Sequence, residues 1–234
     1  GRFAIFIALI NLSVNIAGPF LAVYMLKELN FNYLTFTLVN ISVGVITILF
    51  VPMWGKIADK YGNKEVLKIS GVLLPFVILL WVFSKSPIYF ILVPQLISGF
   101  AWSGFNLASS NFIYDAVTSQ RRGIVVAYYS MLNGIGVFIG AGIGGILAMY
   151  VRFSFINTFI FLFILSSVLR AVVLLVMLPK IKEVRKEIHP SSKNPFLYIK
   201  EVLPIFNITR FRTSPISSLE LIDKDKEFIK ERKV

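Results

Sequence analysis

The 234 residues are 56% hydrophobic and 15% charged, carry 24 Lys and Arg against 12 Asp and Glu for a net charge of +12, and include no Cys. A soluble domain is usually about 45–50% apolar and about 25% charged, so an ordinary soluble globule is excluded, and the lack of thiols excludes disulfide and cysteine chemistry. Fifteen charged residues lie in 1–179 and 21 in 180–234, which separates a nearly charge-free region from a polar, basic tail.

A transmembrane helix takes about 20 apolar residues to cross about 30 Å of hydrocarbon, and residues 1–179 have room for six. The first predicted span, 3–26, follows Arg2 directly, and its apolar run is too long for a signal-peptide core. Gly1 in place of a starting Met reads as a piece of a longer protein. Asn11 and Asn15 lie one turn apart on one face of this span, and Gly18 and Pro19 follow where the helix can bend. The second span covers 34–54. After it, "WGKIADKYGNK" (Trp54–Lys64) spends four charges and two glycines on what reads as a short turn before the third span, 66–84. The fourth span, 88–114, carries Gln95, Trp102 and Asn106 at helical spacing.

The fifth span, 124–150, holds Asn133 and the run "NGIGVFIGAGIGG", in which Gly136, Gly140 and Gly144 recur every four residues and Gly145 adjoins them. Small residues at that spacing let another helix approach closely. Arg170 lies in the sixth span, 153–178, about two turns inside Lys180. A cation there either snorkels to the near edge or pairs with an acid such as Asp115. The amides of Asn11, Asn15, Gln95, Asn106 and Asn133 need partners in hydrocarbon. Either they bond between helices or, with Trp102, they line a solute cavity.

Lys and Arg set the expected orientation. Lys56, Lys60, Lys64 and Lys68 follow span two, Arg121 and Arg122 follow span four, and Lys180, Lys182, Arg185 and Lys186 open the tail. The other three turns hold only Lys27, Lys85 and Arg152. Both termini are therefore expected in the cytoplasm, with the protein in the plasma membrane. The basic charge at membrane edges and in the tail points to anionic lipid, at about 1 kcal/mol per Lys or Arg near the surface, rather than to nucleic acid. "PFLYIKEVLPIFNI" suits the membrane surface, although Pro204 interrupts any long helix there. His189 is the only histidine. Neither H-E-x-x-H, G-x-S-x-G nor a pair of deep acids occurs, so no catalytic residue, metal or cofactor is expected.

The pattern Gly55-x-x-x-Asp59-Lys60-x-Gly62-x-Lys64 resembles the loop signature of the major facilitator superfamily, G-x-x-x-D-R/K-x-G-R/K-R/K, with Asn63 at one basic position. "GVFIGAGIGG" is similar to the family's fifth-helix pattern G-x-x-x-G-P-x-x-G-G, with Ala141 at the proline. "QLISGFAWSG" is similar to its fourth-helix R-x-x-x-G, with Gln95 at the arginine. "YDAVTSQRRG" places Asp115 ahead of Arg121 and Arg122 as in the family's acid-then-arginine pair. The resemblance implies an all-α membrane protein: a six-helix bundle over 1–179, built as a 3+3 inverted repeat, with a cytoplasmic basic tail over 180–234.

It further implies one half of a secondary transporter, read here as the C-terminal half. Such a half moves a small solute by alternating access with a second six-helix bundle. The first and fourth helices would line the cavity, the second and fifth would face the other bundle, and the third and sixth would face lipid. Asp59, Lys60 and the Asp115–Arg122 pair are expected to latch the two bundles on the cytoplasmic side. Amide-rich cavity candidates favour a neutral or amphiphilic solute. The competing reading is a membrane assembly subunit that transports nothing alone.

Overall fold

The computed structural model describes residues 2–151 and 157–181. The 152–156 turn and the tail from 182, with His189 and Pro204, lie outside the described residues. Everything described is helix or short connection, and no strand occurs among these residues. Six helices are long and apolar enough to cross a membrane: α1 (Arg2–Glu28), α2 (Tyr33–Tyr61), α3 (Asn63–Val82), α4 (Pro87–Asp115), α5 (Arg122–Tyr150) and α6 (Thr158–Lys180). Asn32 and Asn157 cap α2 and α6 by accepting hydrogen bonds from Thr35 N and Phe159 N, both at 2.8 Å. Proline lacks the N–H that an α-helix needs, and at Pro94 the first part of α4 widens into a π turn, Ile91–Gln95.

One expected boundary is corrected. The turn expected over Trp54–Lys64 is mostly helix, because α2 runs on to Tyr61 and Gly62 alone separates it from α3. The cause is an apolar stripe at spacings of three and four. Trp54, Ile57, Ala58 and Tyr61 are buried while Lys56, Asp59 and Lys60 lie on the exposed side. The hairpin between α2 and α3 therefore needs one residue of sharp reversal. Gly62 supplies it at φ 89°, where an L side chain is strained.

Packing pairs α1 with α5, α2 with α4, α1 with α6, α3 with α4, and α3 with α6. Exchanging the first three helices with the last three maps this set of pairs onto itself. Consecutive spans run in opposite directions, so this pairing is the one that an inverted repeat of three helices would give. Small residues set the tightest pairs. A Cβ at Gly136, Gly140 or Gly144 would collide with the backbone carbonyl of Ala8, Leu12 or Ile16 on α1. At the α2–α4 crossing a Cβ on Gly99 would stand 2.6 Å from Ile46 Cγ2, and one on Gly104 would stand 2.7 Å from the Trp54 ring. Gly145 has nothing within 4 Å of a Cβ position, so it meets no other helix of this bundle; it lies about 100° around the helix from Gly144.

Helix α3 is the most enclosed of the six, and α2 and α5 are the least. Only a narrow edge of α3, at Val72, Phe76 and the terminal Val82, is exposed, so α3 turns less surface outward than the resemblance implies. Apolar rows are uncovered on α2 (Ile41, Val45, Ile48) and on α5 (Ile124, Tyr128, Met131, Ile135, Phe138).

Opposite outcomes are expected from one substitution at two neighbouring glycines. Gly140→Ala pushes a methyl into α1 and should lose about 1–3 kcal/mol. Gly142, with nothing within 4 Å, should tolerate Ala or gain up to about 1 kcal/mol from helix propensity. Thermal unfolding in one detergent compares the two.

Candidate functional site

The end of the bundle bearing Lys56, Lys60, Arg121, Arg122 and Lys180 is called the basic end. Here Trp54 anchors α2 by donating from Nε1 to Phe100 O on α4 at 2.9 Å, with its ring 4.9 Å from that of Phe100. Gly55 has nothing within 4 Å of a Cβ position, so no contact inside this bundle requires glycine there. Asp59 and Lys60 are exposed, and the Lys60 ammonium sits 4.8 Å over the Tyr61 ring. Lys64 is half-buried.

Asn63, which stands where the family pattern has a basic residue, is fully buried. Its Nδ2 donates to Asp115 Oδ2 at 3.1 Å, and its Oδ1 accepts from Asn111 Nδ2 at 3.0 Å. The amide thus ties the start of α3 to the end of α4, which a cation could not do in both directions. The expected Asp115–arginine pair is replaced by this bond: Arg122 lies 5.4 Å over the Tyr114 ring, and Arg121 is exposed. Nearby, the Lys68 ammonium pairs with the Glu65 carboxylate in the first turn of α3, where negative charge meets the positive end of the helix dipole.

A second feature lies in the half of the bundle away from the basic end. A cavity of about 300 Å³ is bounded by α1, α2, α3, α4 and α6. Gln95, Ser98 and Trp102 line it from one face of α4, Asn40 from α2, Trp81 from α3 and Arg170 from α6. Gln95 donates from Nε2 to Val39 O at 2.8 Å, and Trp102 meets Phe105 edge-on at 5.7 Å.

Of the expected cavity residues, the structure brings together Gln95 and Trp102. Asn11 and Asn15 bond back onto their own helix, to Ile7 O at 3.1 Å and Asn11 O at 2.8 Å. Asn106 is exposed, and Asn133 keeps a buried Oδ1 without a hydrogen bond on α5; neither borders this cavity. Asn40 and Ser98 were not anticipated. For Ser98 the signal was available, since it lies three residues from Gln95 and four from Trp102 on one helix face.

Arg170 departs from both expectations. It is 4% exposed, so it does not snorkel, and its bond runs from Nη1 to Leu74 O at 3.0 Å rather than to Asp115. Ten residues of helix separate it from Lys180, about 15 Å of rise, too far for the side chain to reach the basic end. Its Nε has no acceptor. Two serines beside it also leave their helix for carbonyls: Ser166 Oγ donates to Ser13 O at 2.6 Å and Ser167 Oγ to Pro75 O at 2.8 Å.

A wider, mostly apolar concavity of about 650 Å³ opens at the basic end between α1, α4, α5 and α6, with Arg2, Lys180, Tyr128 and Tyr129 at its wall. Among the described residues no group of His, Cys, Asp and Glu could hold a metal.

Known proteins resemble this chain over most of the bundle. It is 29% identical over 153 residues to a staphyloferrin B transporter of Staphylococcus aureus, covering 64% of this chain and 36% of that protein. Identity is 29% over 174 residues with the multi-drug resistance efflux pump PmrA of Streptococcus pneumoniae, 72% of this chain and 43% of the pump. Over 97 residues it is 30% identical to vacuolar basic amino acid transporter 1 of Saccharomyces cerevisiae, 42% of this chain and 17% of that protein. The chain spans less than half the length of these relatives. The family model for the Major Facilitator Superfamily matches residues 3–226. With six membrane helices and that match, the chain belongs to the Major Facilitator Superfamily, whose members among these relatives are transporters and not enzymes.

Proposed function

We propose that this chain forms one six-helix bundle of a secondary transporter and moves a small solute by alternating access. The observation that carries this reading is the cavity bordered by Gln95, Ser98, Trp102 and Arg170, a mostly apolar pocket with a few polar side chains and walls from five membrane helices. Polar side chains within membrane helices mark solute or ion pathways. The uncovered apolar rows of α2 and α5 suit a second bundle, which we place there. The relatives' names point to drug efflux, siderophore transport and amino acid transport, and this chain's solute lies within that range of small molecules. We read the chain as the C-terminal half, with the basic end and the 180–234 tail in the cytoplasm of a plasma-membrane protein.

On this reading the exposed Asp59 and Lys60 form the chain's part of a gate at the basic end. The Asn111–Asn63–Asp115 hydrogen bonds brace that gate by holding α3 to α4. The arrangement differs from a latch built on an Asp115–Arg122 pair, because Asp115 is already engaged inside the bundle. The same uncovered rows on α2 and α5 also suit a non-transporting assembly subunit. Uptake into proteoliposomes of a panel of neutral, cationic and anionic solutes, with an imposed proton gradient, separates the two readings.

Two results are expected. The chain has no Cys, so single cysteines report sidedness without background: Lys85→Cys should react with an impermeant maleimide from outside intact cells, and Lys60→Cys only after the cells are opened. The reverse pattern would invert the orientation. For a solute that is taken up, Asp59→Asn should slow transport about tenfold, equivalent to ~1.4 kcal/mol, at unchanged membrane insertion; wild-type rates would remove Asp59 from the gate.

A further inference from the structure

We infer that the cavity beside Arg170 binds a carboxylate, so that the solute is a small organic anion with an apolar body. This deepens the transport reading of the same cavity and revises the neutral solute that the amides alone favour. A guanidinium carries five N–H donors. The acceptor that Arg170 has among the described residues is Leu74 O, and its Nε has none although the residue is 96% buried. A charge held at mid-helix in hydrocarbon is costly and persists where something pairs with it. None of the other helices bounding the cavity supplies that partner. The acids of the described residues are Glu28, Asp59, Glu65 and Asp115, all at helix ends, and Asp115 is bonded to Asn63. Among the described residues, the Arg170 side chain that borders the cavity thus has a carbonyl and no carboxylate as partner.

The remaining chemistry of the cavity fits such a ligand. Arginine recognises a carboxylate through two parallel N–H bonds, stronger than neutral pairs. Ser98 borders the same space with a hydroxyl that can donate, while the Gln95 amide donates to Val39 O. Trp81 and Trp102 supply flat apolar walls, which suit an aromatic or short aliphatic body. About 300 Å³ is at the small end of ligand pockets, large enough for benzoate.

The test uses tryptophan fluorescence, because two of the chain's three tryptophans border the cavity and Trp54 sits at the other end. The chain in lipid nanodiscs is titrated with benzoate and with its neutral isostere benzamide. Benzoate should quench with a Kd at least tenfold below that of benzamide. Arg170→Gln should bring the two together, and Arg170→Lys, which keeps the charge, should retain a reduced preference. Ser98→Leu, which fills the cavity and leaves Arg170 on Leu74, should weaken both and keeps the test decisive if the arginine variants fail to fold. Equal binding of the two ligands by the wild-type chain, a preference that survives Arg170→Gln, or benzoate binding untouched by Ser98→Leu would each overturn the inference. Binding is read without transport. A chain that shows the preference but moves no solute refutes the transport reading alone, and a working transporter without the preference refutes the anion site alone.

Discussion

In hydrocarbon, a donor that leaves its own helix has to end on an acceptor of another, because no water stands in for it. This constraint organises the bundle. Trp54 reaches Phe100 O, Gln95 reaches Val39 O, Ser166 reaches Ser13 O, and Ser167 and Arg170 reach the carbonyls of Pro75 and Leu74. Each bond ties one helix to the backbone of a neighbour, and a backbone carbonyl cannot rotate away as a side chain can. Glycines do the complementary work. They remove the Cβ where two backbones must meet, so that Gly136, Gly140 and Gly144 rest on the carbonyls of α1. Three donors on α6, within five residues, then hold the sixth helix to α1 and α3.

The same constraint separates structural polar groups from functional ones. Asn11 and Asn15 each place one amide hydrogen on a carbonyl of their own helix. Gln95 sits where the family pattern has an arginine, and it is spent on a carbonyl of α2. In this chain a cation stands on α6 instead, where Arg170 borders the cavity.

Much of this was legible in the residues. Hydropathy places six spans because each is a long apolar run, and the recurrence of Gly136, Gly140 and Gly144 every four residues announces a close helix pair. The end of α2 is masked by Lys56, Asp59, Lys60 and Lys64, which look like a loop, although Trp54, Ile57, Ala58 and Tyr61 carry a helical stripe. Gly145 could have been set aside by its phase alone. Other features depend on partners that no local pattern reveals. That Arg170 would find Leu74, or that Asn63 would join Asn111 to Asp115, follows from how α3 packs against α4 and α6. The direction in which an amide turns, outward or back onto its own helix, is likewise a rotamer choice that spacing does not encode.

The one-residue link at Gly62 has a mechanical consequence. With a single residue between them, α2 and α3 have almost no slack, so a rotation of the last turn of α2 has to involve the start of α3. Asn63, the next residue, ties that start through its amide to Asn111 and Asp115 on α4. The basic end of this bundle is thus a short, stiff crank. It joins the turn that bears Asp59 and Lys60 to the same helix that carries Gln95, Ser98 and Trp102.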